Sequence, residues 1–249
     1  MAFLLAVYFI IGAVVGSFLN VCIYRIPVGK SIVNPPSSCG SCGHKLSFLD
    51  MIPVLSYFLL GGKCRYCHTH YSCRYALVEF FTGCLFALCG FFYLPSLPLA
   101  LVFIFTAGLV VITFVDFDHQ IILDEVLLLL AVAGLAYVWL YTHDWYNALY
   151  GMLVGGGLML AIYFLSRGGM GEGDVKLSFV LGWWLGLSNI LVCLLLAFVI
   201  GGIVGVALLA TGIKGRKDAI PFGPYLCLGA YISLLFGPYL VLYYWKLFI

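Results

Sequence analysis

The chain has 249 residues, of which 64% are hydrophobic and 9% charged, and its formal net charge is +2. Folding alone cannot remove so much apolar surface from water, which excludes an ordinary soluble domain and places the chain in a lipid bilayer. So small a net charge points to no nucleic-acid partner; the basic residues report membrane orientation instead.

Roughly 20 apolar residues span a bilayer core, and the uncharged runs predict an all-α polytopic membrane protein of about eight transmembrane helices. In chain order these fall near residues 2–24, 75–94, 98–116, 123–142, 146–166, 175–188, 190–211 and 224–246. Residues 1–24 read as a first span rather than a cleavable signal, because no basic stretch precedes them and no A-x-A-like site follows. Pro95 and Pro98 mark the break before the third span, and Ser188-Asn189 the end of a short sixth. The organisation is a first helix (1–24), a long polar loop (25–74) and a helical remainder (75–249). With the N-terminus outside, every Lys and Arg except Lys246 lies in or beside a cytoplasmic loop, the asymmetry of the positive-inside rule.

The polar loop carries Cys39-Gly40-Ser41-Cys42 and Cys64-Arg65-Tyr66-Cys67, two C-x2-C knuckles separated by 21 residues. Each thiolate pair supplies half of a tetrahedral site, so the loop resembles a zinc ribbon, and metal binding would contribute to its folding. Two disulfides are the competing reading, disfavoured in a reducing cytoplasm. His44, His68 and His70 read as solvated neighbours and Cys73 as a bystander, while Cys22, Cys84, Cys89, Cys193 and Cys227 pack as small hydrophobes within or near spans.

Ionisable groups at the ends of spans invite a functional reading. Asp116 ends the third span and Asp174 begins the sixth, which puts both at the cytoplasmic side and at similar depth. Two neighbouring carboxylates tend to share one proton, leaving a base to activate water and an acid to polarise a carbonyl. Solvated helix-end acids, with Asp174 as a simple N-cap, are the plainer alternative. A transporter or channel using the acids for cations or protons is the rival class, and a structural assembly factor a third. Asp118, two positions on, turns away from Asp116; Asp124 reads as a cap and Glu125 as a loop acid. Glu79 is expected to bond Arg74, meet a neighbouring helix or line a ligand cavity. Gly168, Gly169, Gly171 and Gly173 are expected to permit unusual backbone conformations before the sixth span. Gly151, Gly155, Gly156 and Gly157, with Gly201, Gly202 and Gly205, are expected to let helices approach.

Gly171-Glu172-Gly173-Asp174 matches the GxGD signature of intramembrane aspartyl proteases. Taken with Gly16-Ser17-Phe18-Leu19-Asn20-Val21, the knuckles, Ile52-Pro53-Val54-Leu55-Ser56-Tyr57, Gly61-Gly62-Lys63-Cys64, Asp116-Phe117-Asp118-His119-Gln120 and Ile220-Pro221-Phe222-Gly223-Pro224-Tyr225, the chain resembles the bacterial type IV prepilin peptidases over nearly its whole length. The resemblance implies Asp116 and Asp174 as the catalytic pair, and cleavage of a short basic leader from a prepilin or pseudopilin on the cytoplasmic side of the inner membrane. It further implies methylation of the new α-amine by S-adenosylmethionine, with the region around Gly61 and Gly62 involved, beside zinc on Cys39, Cys42, Cys64 and Cys67. Leu123 stands where the family usually has proline, and Met51 where asparagine is common.

Overall fold

The computed structural model describes residues 1–249 except 94–96, 167, 216, 217 and 249. Part of the expected break at Pro95, and Arg167, Arg216 and Lys217 of the charge pattern, lie outside the described residues. All regular elements among the described residues are helices, in two compact units, Met1–Ala107 and Gly108–Ile249.

The first unit holds α1 (Ala2–Arg25), α2 (Leu55–Leu59), α3 (Arg74–Tyr93) and the beginning of α4 (Leu97–His119). Close approach of α1 and α3 depends on Gly12 and Gly16, one turn apart, the small-xxx-small spacing that brings helix backbones together in lipid. A Cβ on Gly12 would lie 2.7 Å from the Thr82 carbonyl, and one on Gly16 would lie 2.8 Å from the Glu79 Cα. Phe86 of α3 stacks on Phe103 of α4 with centroids 4.2 Å apart, closing the apolar interior of this unit.

In the second unit the rest of α4 is followed by α5 (Asp124–Tyr137), a π-type turn at Val138–Thr142, α6 (Trp145–Ser166), α7 (Glu172–Ala210) and α8 (Gly223–Phe248). Seven helices among the described residues are long and apolar enough to cross a membrane, against about eight expected. The difference lies in α7, whose 39 residues would measure about 58 Å if straight, nearly twice a bilayer core. It is not straight: Gly186 adopts φ 72°, ψ 176°, a conformation essentially reserved for glycine. A Cβ on Gly155 of α6 would lie 3.3 Å from the Ser178 carbonyl and 2.5 Å from Ile190 Cγ1. Twelve helical residues cover about 18 Å, so a chain that touches one point with both has folded back between them. The break falls at Gly186 rather than at Ser188-Asn189, and the Leu187 amide, cut off from its helical acceptor, donates to Asn147 Oδ1 at 2.9 Å.

Gly151 and Gly156 allow the same approach of α6 to α7, against the Gly182 carbonyl and the Phe179 ring, and Gly201 lies against Tyr225. Gly157 and Gly202 face open space, so the expected packing role does not extend to them. Trp184 donates from Nε1 to the Leu130 carbonyl at 2.7 Å, an approach that Gly134 leaves room for. Of the span cysteines, Cys22, Cys89, Cys193 and Cys227 are buried as expected; Cys84 is exposed on α3.

Candidate functional site

Asp116 and Asp174, 58 positions apart in sequence, line one cavity of about 240 Å³ in the second unit. They are 5% and 7% exposed, so each carboxyl is withdrawn from solvent except toward that cavity. Asp116 sits in the last turn of α4, which ends where Gln120 takes a left-handed φ of 55°. Its Oδ2 accepts a hydrogen bond of 2.9 Å from the amide of Gly223, the first residue of α8. Asp174 is the third residue of α7; the N-cap is Gly171, so the simple N-cap reading of Asp174 gives way. Its own backbone amide donates to the Gly171 carbonyl at 3.2 Å, closing the turn that starts the helix. Of the two acids, Asp116 is the one oriented by a glycine amide.

The glycines before α7 act differently from expectation. Only Gly168, at φ 98°, uses a left-handed conformation. Gly171 and Gly173 instead permit contact: a Cβ on Gly171 would stand 3.2 Å from Asp174 Oδ2, and one on Gly173 would stand 2.9 Å from Ile122 Cβ. Gly223 is tighter still, because its Cβ would lie 2.7 Å from Asp116 Oδ2.

At the exposed rim Lys176 donates to Asp124 at 3.1 Å and pairs with Glu172 at 3.3 Å. Asp124 is thus the first helical residue of α5 and an ion-pair partner, not the cap, which is Leu123. Asp118 is exposed on α4, as its spacing from Asp116 requires. The sequence reading assigned no role to Lys176, Gln120 or Ile122; the charge of Lys176 on the GxGD segment was the one available signal.

The four knuckle cysteines of the first unit come together with their Sγ atoms within 4.8 Å of one another. Cys39 and Cys67 Sγ lie 3.7 Å apart. Tetrahedral zinc, with bonds of about 2.3 Å, holds sulfurs about 3.8 Å apart, whereas a disulfide requires about 2.05 Å. The cluster fits a metal ion, and all four cysteines are free thiols.

The knuckles are built alike. The residue before the first cysteine bridges the residue six beyond that cysteine, Ser38 with Lys45 and Lys63 with His70. The fourth residue after each first cysteine, Gly43 or His68, turns left-handed at φ 71° or 56°. Thr69 Oγ1, 3.4 Å from Cys67 Sγ, favours the thiolate and holds Cys67 down to about 6. Against the hydrogen bond from the His44 backbone, desolvation and the neighbouring Cys67 and Cys39 push Cys42 up to about 11. Crowded sulfurs of this kind ionise together only when a cation compensates them. The His44, His68 and His70 side chains are exposed and outside the cluster. Ser47 and Arg65 bond Asp50, at 2.7 Å and 2.6 Å, and hold its carboxyl below the usual range, tying the turn at Phe48–Met51 to the second knuckle.

Gly61 and Gly62, at φ 59° and 66°, close the C-terminal end of α2, and the Tyr57 ring lies against Gly62. Glu79, 9% exposed, accepts the Val54 amide at 2.8 Å. A loop amide was not among the partners expected for it.

Residues 10–93 match the family model described as the Bacterial Peptidase A24 N-terminal domain, and residues 103–206 match the Type IV leader peptidase family. Among curated proteins the chain is 31% identical to the prepilin leader peptidase/N-methyltransferase of Bacillus subtilis (strain 168) over 98% of its own length and 99% of that protein's. It is 32% identical to the protein of the same name from Pseudomonas putida, over 95% of this chain and 92% of that one. The Aeromonas hydrophila protein of that name is 31% identical over the same shares. No solved structure matches the chain. Sequence similarity across almost the whole length, on a set of membrane-spanning helices, shows that this multi-pass membrane protein belongs to the type IV leader peptidase family.

Proposed function

We propose that the chain cleaves the leader from prepilin-type substrates, with Asp116 and Asp174 as its catalytic pair. The observation that carries this reading is the placement of two buried carboxyls on one cavity, with Asp116 oriented by the Gly223 amide. In the proposed reaction the pair holds one proton. The ionised carboxylate takes a proton from water, the new hydroxide adds to the scissile carbonyl, and the protonated partner donates to the carbonyl oxygen. Collapse of the tetrahedral intermediate breaks the C–N bond, and the leaving amine takes up a proton from the acids. Neither acid becomes covalently attached to substrate.

In the same proposal the N-terminus lies outside and both the cysteine loop and the cavity face the cytoplasm of the inner membrane. A basic leader remains there while the hydrophobic helix that follows it stays in the bilayer. Zinc on Cys39, Cys42, Cys64 and Cys67 holds the loop together as a structural ion. N-methylation of the exposed amine belongs to the loop around Gly61 and Gly62. There the left-handed Gly62 lies against the Tyr57 ring, an aromatic face of the kind that attracts a cationic sulfonium. S-adenosylmethionine would supply the methyl group.

Purified Asp116→Asn and Asp174→Asn, reconstituted in proteoliposomes with a prepilin peptide, test the central claim. Each is expected to insert normally and to lose cleavage by at least about a hundredfold. Cleavage retained in either variant removes that residue from the pair, and cleavage independent of both returns the transporter or assembly readings.

A further inference from the structure

Glu79 is a buried carboxyl on a membrane-spanning helix, the kind of group that a bilayer protein retains for a reason. It lies where α1 and α3 pack closely, beside Gly16. Its bond to the Val54 amide reaches out of the helix pair into the polar loop. Val54 is β-branched yet sits at φ 64°, ψ −52°, which an isolated turn would not hold. It is also the N-cap of α2, a helix of five residues, too short to persist alone.

The other end of α2 is closed by Gly61 and Gly62, where the Gly62 amide donates to the Tyr57 carbonyl at 2.9 Å. The Gly62 carbonyl in turn accepts from the Tyr71 amide at 3.0 Å, just beyond the second knuckle. The segment from Val54 to Gly62 therefore hangs between two anchors, the cysteine cluster and Glu79.

We infer that Glu79 is a positioning residue for methyl transfer: by gripping the Val54 amide from the helix pair it fixes α2 and, through α2, Gly61 and Gly62. The inference rests on the reading that methylation belongs to this loop. All the contacts involved lie within the first unit, whereas Asp116 and Asp174 lie in the second, so leader cleavage does not depend on the grip.

Two conservative variants separate reach from charge. Glu79→Gln keeps an acceptor at the same reach, and Glu79→Asp keeps the charge but withdraws it by about 1.5 Å, one carbon–carbon bond. In full-length protein in nanodiscs, Glu79→Asp is expected to lower kcat/KM for methylation about tenfold with cleavage changed less than about twofold, while Glu79→Gln stays near wild type. Amide exchange at Val54, Gly61 and Gly62 should accelerate in Glu79→Asp only, and binding of radiolabelled S-adenosylmethionine should weaken with it. Unchanged methylation and exchange in Glu79→Asp overturns the inference, as does a parallel loss of cleavage. A loss in Glu79→Gln equal to that in Glu79→Asp overturns it too, because charge and not the grip would then matter. A wild-type protein that cleaves without methylating removes the underlying reading itself, whatever the Glu79 variants do.

Discussion

Gly223 illustrates how much at this site is decided by single atoms. Its amide reaches Asp116 only because it has no side chain: a Cβ would stand 2.7 Å from the oxygen that accepts the bond. Gly223→Ala is expected to push the carboxyl aside and lower kcat/KM for cleavage about a hundredfold, the scale of an ångström-sized misplacement, while leaving insertion intact. A peptide-cleavage assay showing near-normal turnover would mean that the amide does not orient Asp116. Asp116 and Asp174 were legible in the sequence because charge is conspicuous inside apolar runs. The role of Gly223 was not, since its partner lies 107 positions away and a glycine in a Gly-Pro pair reads first as a turn.

Among the elements, the cysteine loop was the most readable. Two C-x2-C pairs name their chemistry by spacing, and the paired turns at Gly43 and His68 bring the four sulfurs together. Metal analysis of the purified protein should find about one zinc per chain, the stoichiometry of a four-thiolate site. Cys42→Ser is expected to release it, loosen the loop and impair methylation more than cleavage; equal loss of both activities would place the loop in substrate docking or global folding. The grip of Glu79 on Val54 was hidden at this scale. Hydrophobic periodicity identifies a span but does not show which loop amide a buried acid will meet.

At the scale of the molecule, the number of passes follows from the site. Asp116 ends α4 and Asp174 begins α7, with α5 and α6 between them, so α4's end and α7's start share one face of the membrane. Gly223, at the start of α8, bonds Asp116 and therefore lies at that face as well. For α7 to leave a face and return to it, its two arms on either side of Gly186 must be two passes, giving eight among the described residues. The N- and C-termini should then lie on the same side. Epitope tags at both ends, probed in intact and permeabilised cells, check this: opposite accessibility would make α7 a single pass. The same experiment, with the tags accessible from outside, supports the orientation drawn from the basic residues.

The sequence by itself determined the bilayer as solvent, the approximate spans, the metal-ligand chemistry of the cysteine loop and the identity of the two conspicuous acids. Each of these depends on composition or on residues near one another in the chain. Only the tertiary structure decided that the acids share a cavity, that Gly223 supplies an amide to Asp116, and that the break in α7 falls at Gly186. Those features depend on where backbones meet across dozens of intervening residues. That is set by the packing of whole helices, and it leaves in the sequence little more than a glycine.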